Sequence, residues 1–375
     1  MQLARLARQL QRFDWVLLLS ALVLFAFGIS AIYSVELSRE SADFLLLKKH
    51  VVAFGIGFLL MAIMANANHL QLRSFGRLLY IVGVVLLVAV LIFGTELRGT
   101  TGWFVIGPLS FQPVEFMKLA LAVQLARYFG EHARRRFAWR EIFGSGALVA
   151  IPVFLTSLQP DLGSAFLLVG MWAVVMFFAG IRSRHAAILG VLLIIFAIVS
   201  WSFLLQDYQK ERLAVFMNPE LDPLESGYNV SQAKIAIGSG QWFGRGLGFG
   251  SQSQLKFLPE SQTDFVFAVI AEELGFFGVL VVLSAIGVFL ARILMIGYYS
   301  RDHFTTFLAI AIFGIFFTQM SVNIGVNLAI FPATGVGLPF LSYGGSSLVM
   351  SLLMLGIVES IAVRVRPGDR RGIIS

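Results

Sequence analysis

Five polar residues in a row, Glu260-Ser-Gln-Thr-Asp264, stop at an abrupt boundary where Phe265 opens a long apolar run. Asp264 therefore stands at or beside the start of a helix, at the edge of a nonpolar phase. Two kinds of chemistry suit a carboxylate there. It can cap the helix, as Thr263 also can, because Ser, Thr and Asp satisfy the free N–H groups of a first turn. It can also take a proton from a hydroxyl as a general base, or hold a divalent metal ion.

Other ionisable residues lie within or beside apolar runs, where a charge costs on the order of 3 kcal/mol and marks function by default. Glu115 and Lys118 are three apart and share a helical face, so they either neutralise one another or offer Lys118 to an anionic headgroup. Asp161 sits in the tight turn Gln159-Pro-Asp-Leu-Gly163, as a turn former or as part of a site. Glu272 falls about 80° round a helix from Asp264 and Glu273 about 180°, so only Glu272 could share its cavity, in a supporting role, and either could simply bridge helices. Arg98, Lys118, Arg212, Arg245 and Lys256 are the cations near this boundary that could stabilise a departing pyrophosphate. The chain has no cysteine. Disulfides and thiolate chemistry are thereby excluded, and no His/Cys cluster has zinc spacing. The glycine-rich run Gly238–Gly250 lacks dinucleotide and P-loop spacing; it is either a tightly turned loop or a backbone surface for phosphate.

These residues need a membrane to position them. The 375 residues are 58% hydrophobic and 13% charged, too apolar for a soluble domain. Repeated apolar runs of about 20 residues predict transmembrane helices, and the alternating segments of a β-barrel are missing. The expected fold is an all-α integral membrane protein, a single polytopic domain. Ten transmembrane helices are predicted near 15–34, 45–65, 76–94, 112–130, 142–158, 162–180, 185–205, 264–293, 304–330 and 343–363. Residues 1–13 place Leu3, Leu6, Leu10 and Phe13 on one face and Arg5, Arg8 and Arg12 on the other, an interfacial helix before an uncleaved anchor.

With the N-terminus inside, 18 of the 28 Lys and Arg residues fall in inner loops or tails, so both termini, including the tail 364–375, are expected to be cytoplasmic. The net charge of +7 is thus a topology signal rather than a sign of nucleic-acid binding. Residues 206–263 form the one long loop, extracytoplasmic and between helices 7 and 8. Within it, residues 227–237 suit a short re-entrant or interfacial helix. The polar motifs gather at the outer face.

At these residues the chain resembles the SEDS family (shape, elongation, division and sporulation proteins), its RodA branch more than its FtsW branch. The matching motifs are Phe111-Gln-Pro-Val-Glu-Phe-Met-Lys118, Gln159-Pro-Asp-Leu-Gly163, Gly227-Tyr-Asn, Ile235-Ala-Ile-Gly-Ser-Gly240, Gln252–Phe265, Glu272-Glu-Leu-Gly275 and Leu341-Ser-Tyr-Gly-Gly-Ser-Ser347. The Ser-Gln-Ser-Gln-Leu run ending at Leu255 and the segment Asn218–Pro223 favour RodA. The resemblance implies a glycosyltransferase of the bacterial inner membrane that polymerises lipid II into peptidoglycan during elongation and rod-shape maintenance. It implies that Asp264 is catalytic and that a divalent cation, Mg or Mn, is needed. It also implies a class B penicillin-binding transpeptidase and other elongation-complex membrane proteins as partners. One departure stands out: many relatives carry Arg before the residue matching Trp103, where this chain has Gly102. A lipid II flippase or transporter, a division-type polymerase and a scaffold without chemistry are the competing readings.

Overall fold

The computed structural model of the chain describes residues 13–37, 44–97, 99–107, 109–132, 139–185, 187–191, 210, 226–255 and 257–365. Several expectations lie outside these residues: nearly all of the interfacial helix, nearly all of the C-terminal tail, most of the span 185–205, most of the loop before 226, and Arg98, Arg212 and Lys256.

Each of the other nine expected spans coincides with a helix. They are α1 (Trp15–Leu37), α2 (Leu45–Asn66), α3 (Gln71–Phe93), α4 (Pro113–His132), α5 (Trp139–Ser157), α6 (Leu162–Phe178), α9 (Val266–Tyr298), α10 (His303–Asn327) and α11 (Gly345–Arg364). Six of them, α1, α2, α3, α9, α10 and α11, are long and apolar enough to cross a membrane, and α6 is apolar but 17 residues long. The first turns of α4 and α5 carry charge, at Glu115 and Glu141, which lowers their hydropathy. The chain is a mostly helical, multi-pass membrane protein.

Helix α10 is the central post, buried on nearly every side. It packs against α4, α6 and α9, while α11 lies along α2, α9 along α1 and α3 along α4. The outward faces of α2, α3 and α9 stay apolar and exposed, with Leu59, Ile63, Leu78, Ile81 and Leu280 among them. In water such faces would need covering; in lipid they are already in an apolar solvent.

The expectation of an all-helical chain needs one correction. Residues between α3 and α4 form an antiparallel sheet of β1 (Thr95–Leu97), β2 (Thr100–Ile106) and β3 (Leu109–Phe111), in the order β1-β2-β3. Its register sets Thr95 opposite Trp103 and Phe104 opposite Phe111. Thr, Trp, Phe and Val at these positions suit a pleated surface. Turns at Gly99 and Gly107, both with positive φ, join the strands.

The second departure is inside α9. Gly275 has φ 66° and ψ −163°, which breaks the helix. Two bonds, from the N–H groups of Phe276 and Phe277 to the carbonyls of Glu272 and Glu273, are therefore lost. A hairpin before α9 replaces them. Phe276 and Phe277 donate to the carbonyls of Gln241 and Trp242 at 2.8 and 3.2 Å, and the Glu272 and Glu273 carbonyls accept from Arg245 and Gly246 at 2.9 Å each. All four of these main-chain groups are thereby paired again, as an apolar phase demands. The predicted helix at 227–237 is present as α7 (Ser226–Ser239) and packs on α9, and a single turn, α8 (Ser251–Gln254), follows the hairpin.

Candidate active site

Asp264 is half-buried in a compact turn that precedes α9. The N–H groups of Thr263, Asp264 and Phe265 all point at the Glu260 carbonyl, at 3.0, 3.1 and 3.3 Å. Glu260 reaches this geometry with φ 50°. The N-cap position belongs to Phe265, which makes no side-chain capping bond. The capping place expected for Thr263 or Asp264 therefore falls to neither. Thr263 instead donates its hydroxyl to the Glu260 carboxylate at 2.7 Å.

The turn is held from two sides. From the loop before α11, the Ser342 hydroxyl makes a short bond to the Thr263 carbonyl, and the Tyr343 N–H donates to the Gln262 carbonyl at 2.8 Å. Gly335, at φ 71°, comes so near that a Cβ there would lie 4.0 Å from Asp264 Oδ2. From α10, the side-chain amides of Asn323 and Asn327 both donate to the Asp264 carbonyl at 2.9 Å. The second amide of this pair also accepts from the Ala268 N–H at 3.1 Å, which completes the first turn of α9.

These asparagines belong to a polar stripe on α10 that was not among the expected site residues. Gln319, Asn323 and Asn327 are spaced by four and so stand one above another on a single face of α10. That spacing, in a helix otherwise so apolar, was the available signal. Gln319 donates to the Gly337 carbonyl at 2.9 Å and accepts from Lys118 Nζ at 3.1 Å. The stripe thus runs from Lys118 on α4 to Asp264 at the head of α9.

Lys118 and Glu115 form the ion pair anticipated from their spacing, at 2.8 Å, with side chains 2% and 8% exposed. Asp161 caps α6: its carboxylate accepts from the Ser164 N–H and hydroxyl at 2.9 and 2.7 Å, and from the Gln112 amide at 3.2 Å. Burial pushes the Asp161 carboxyl up from its ordinary value. The Ser164 bonds and the Lys118 charge oppose that rise, and the Glu115 charge adds to it. Glu115, Lys118 and Asp161 thereby form one electrostatic group. The sheet closes over it: a Cβ at Gly102 would lie 3.3 Å from Gln159 Oε1, so the chain has its smallest residue where β2 meets the turn holding Asp161.

Two expected residues are elsewhere. The Glu272 carboxylate faces α8, accepting from the N–H groups of Gln252 and Ser253 at 2.8 and 3.1 Å. It caps that turn, and the Asp264 cavity is not where it points. The helical-wheel angle failed because Asp264 precedes the helix rather than lying in it. Arg245 is exposed on the hairpin beside the Gly275 break, its Nε donating to the Ser239 carbonyl at 3.0 Å. The hairpin's N–H groups at Arg245 and Gly246 are spent on α9, which removes the phosphate-cradle reading for them. The remaining cations proposed from sequence, Arg98, Arg212 and Lys256, lie outside the described residues. Among the described residues, no three of His, Cys, Asp and Glu gather as a metal cage.

A family model described as cell cycle protein, FtsW/RodA/SpoVE, matches residues 11–366. Over 351 residues the chain is 36% identical to the peptidoglycan glycosyltransferase MrdB of Escherichia coli (strain K12), with 93% of each chain covered. One chain of a peptidoglycan synthase complex, solved for its coordination of polymerization and crosslinking, superposes with a TM-score of 0.79 at 33% identity, covering 93% of this chain and 97% of that one. The crystal structure of the rod shape determining protein RodA of Thermus thermophilus superposes with a TM-score of 0.69 at 31% identity, covering 93% and 96%. With its motifs, its helices and these matches in agreement, the chain belongs to the FtsW/RodA/SpoVE family, the SEDS proteins.

Proposed function

We propose that this chain is a peptidoglycan glycosyltransferase that polymerises lipid II during cell-wall elongation, with Asp264 as general base. The observation that carries the reading is the fixed Asp264 turn, joined through one stripe of amides to the buried Lys118 and Glu115 pair. In this reading Asp264 takes the proton of the 4-hydroxyl on the acceptor's GlcNAc. That oxygen attacks C1 of the donor's MurNAc, the bond to undecaprenyl pyrophosphate breaks, and the anomeric centre inverts. Lys118 supplies positive charge for the leaving group, with Arg98, Arg212 and Lys256 as further candidates.

A Mg or Mn ion fits the donor set in the usual manner of such ions, bound by one or two carboxylates and completed by substrate oxygens and water. Asp264 would hold it, and the ion would supply charge against the pyrophosphate. The proposed setting is a bacterial inner membrane with ten transmembrane helices, both termini cytoplasmic, and the Asp264 site extracytoplasmic beneath the long loop between helices 7 and 8. The proposed partners are a class B penicillin-binding transpeptidase and other membrane proteins of the elongation complex.

One feature favours a second reading. A broken helix such as α9 is a mark of transporters, and a lipid II flippase would use one. Here, however, the main-chain groups freed at Gly275 are already paired with the hairpin. Purified protein given labelled lipid II without a transpeptidase separates the readings. Glycan strands support the polymerase and dismiss a scaffold. Movement of lipid II across vesicles without polymer supports the flippase and overturns this proposal.

A further inference from the structure

Asn323 is 1% exposed, and its side-chain amide spans two segments far apart in sequence. Nδ2 donates to the Asp264 carbonyl at 2.9 Å and to the Val336 carbonyl at 2.8 Å. Its own carbonyl groups serve Asn327, whose amide donates to the Asn323 main-chain oxygen at 2.9 Å and approaches Oδ1 at 3.4 Å. A merely structural reading is available, because loop carbonyls in an apolar setting must find donors.

Three observations go further. Asp264 already has Asn327 for that duty. The second carbonyl bound by Asn323 belongs to the residue after Gly335, which abuts the Asp264 carboxylate. And the same helix face, one turn earlier, holds Lys118 through Gln319. One helix therefore ties the main chain of Asp264, the segment beside it and the cation to one another.

We propose that Asn323 is a positioning residue for glycosyl transfer, clamping the Asp264 turn to the Gly335–Gly337 segment and so setting where the carboxylate stands. The inference rests on Asp264 being the base. A displacement of about 1 Å can cost on the order of 100-fold in rate, so the clamp acts on turnover rather than on substrate affinity.

Asn323→Asp is the informative variant. It is isosteric, but it replaces the donor with an acceptor that faces the Asp264 and Val336 carbonyls. On purified lipid II, kcat should fall about 100-fold with KM within about twofold. Asn323→Ala should lower kcat, again with KM unchanged. Thermal melting accompanies each variant. If Asn323→Asp does not fold, Asn323→Ala decides: lowered kcat at constant KM supports the clamp, and a raised KM at wild-type kcat overturns it. For a folded Asn323→Asp, a wild-type kcat overturns it too. Asp264→Asn, assayed alongside, tells the two failures apart. If it is inactive while the Asn323 variants behave as wild type, only the clamp is lost. If it is active, the base assignment is lost.

Discussion

Replacing Glu115 by Gln tests whether the buried ion pair is scaffold, chemistry or both. The Glu115 and Lys118 side chains are nearly sealed from solvent and 2.8 Å apart. After the substitution, Lys118 keeps Gln319 Oε1 at 3.1 Å but loses its only compensating charge at contact distance among the described residues. Removing one member of a buried pair costs about 3–5 kcal/mol, because the survivor is left uncompensated. Lys118→Met should cost about the same. At roughly 2 °C per kcal/mol for a chain larger than 150 residues, each single variant should melt about 6–10 °C below wild type. The double variant Glu115→Gln/Lys118→Met has no charge to strand, so it should recover most of that loss. Two singles that add in the double would deny the coupling. Activity should not follow stability: the double variant should polymerise lipid II about 100-fold or more slowly, the usual loss when a charge-stabilising group is removed. Thermal melting in detergent and strand synthesis from labelled lipid II read the two quantities. Singles that melt within about 2 °C of wild type would refute the burial argument, and a fully active double variant would refute the role of Lys118.

Further outcomes follow from other parts of the structure. Gly275→Ala puts a Cβ against the main chain of Phe243 and Gly244 at φ 66°, and should destabilise by about 2–4 kcal/mol; an unchanged melting temperature would mean the α9 break is dispensable. His69, in the loop between α2 and α3, bonds Ser360 and Thr305 at 3.3 Å each, and burial lowers its pKa from 6.5 to about 4. The folded state keeps it neutral while the unfolded state protonates first. Its contribution is thus complete above pH 6.5 and is lost as pH falls toward 4, by at most about 1.4 kcal/mol per pH unit. A His69→Gln variant should melt with a shallower pH dependence over that window, and an unaltered slope would sink the assignment. Chelation with EDTA should abolish strand synthesis and added Mg or Mn should restore it; polymerisation undiminished in EDTA would remove the metal from the account.

The sequence carried the helices because an apolar run of membrane length has little alternative to being helical in lipid. It carried the Glu115 and Lys118 pair because both members lie on one turn. It missed features that depend on distant partners. The break at Gly275 sits in the apolar stretch Leu274-Gly-Phe-Phe277, and only the hairpin at Gln241–Gly246, which takes over the lost bonds, makes it tolerable. The strands between α3 and α4 are three to seven residues long and read as loop between two spans. Glu272 looked like a companion of Asp264 until α8 supplied two N–H groups for it. Gln319, Asn323 and Asn327 were visible as a four-residue spacing, but the carbonyls they serve lie in two other segments. Local periodicity holds no record of such partners.

The most direct measurement is strand synthesis from purified lipid II by Asp264→Asn, with melting recorded on the same sample. The substitution keeps the shape of the side chain and removes its basicity, so the protein should melt near wild type and make no glycan strand. Polymer formed at the wild-type rate by that folded variant would contradict Asp264 as the base.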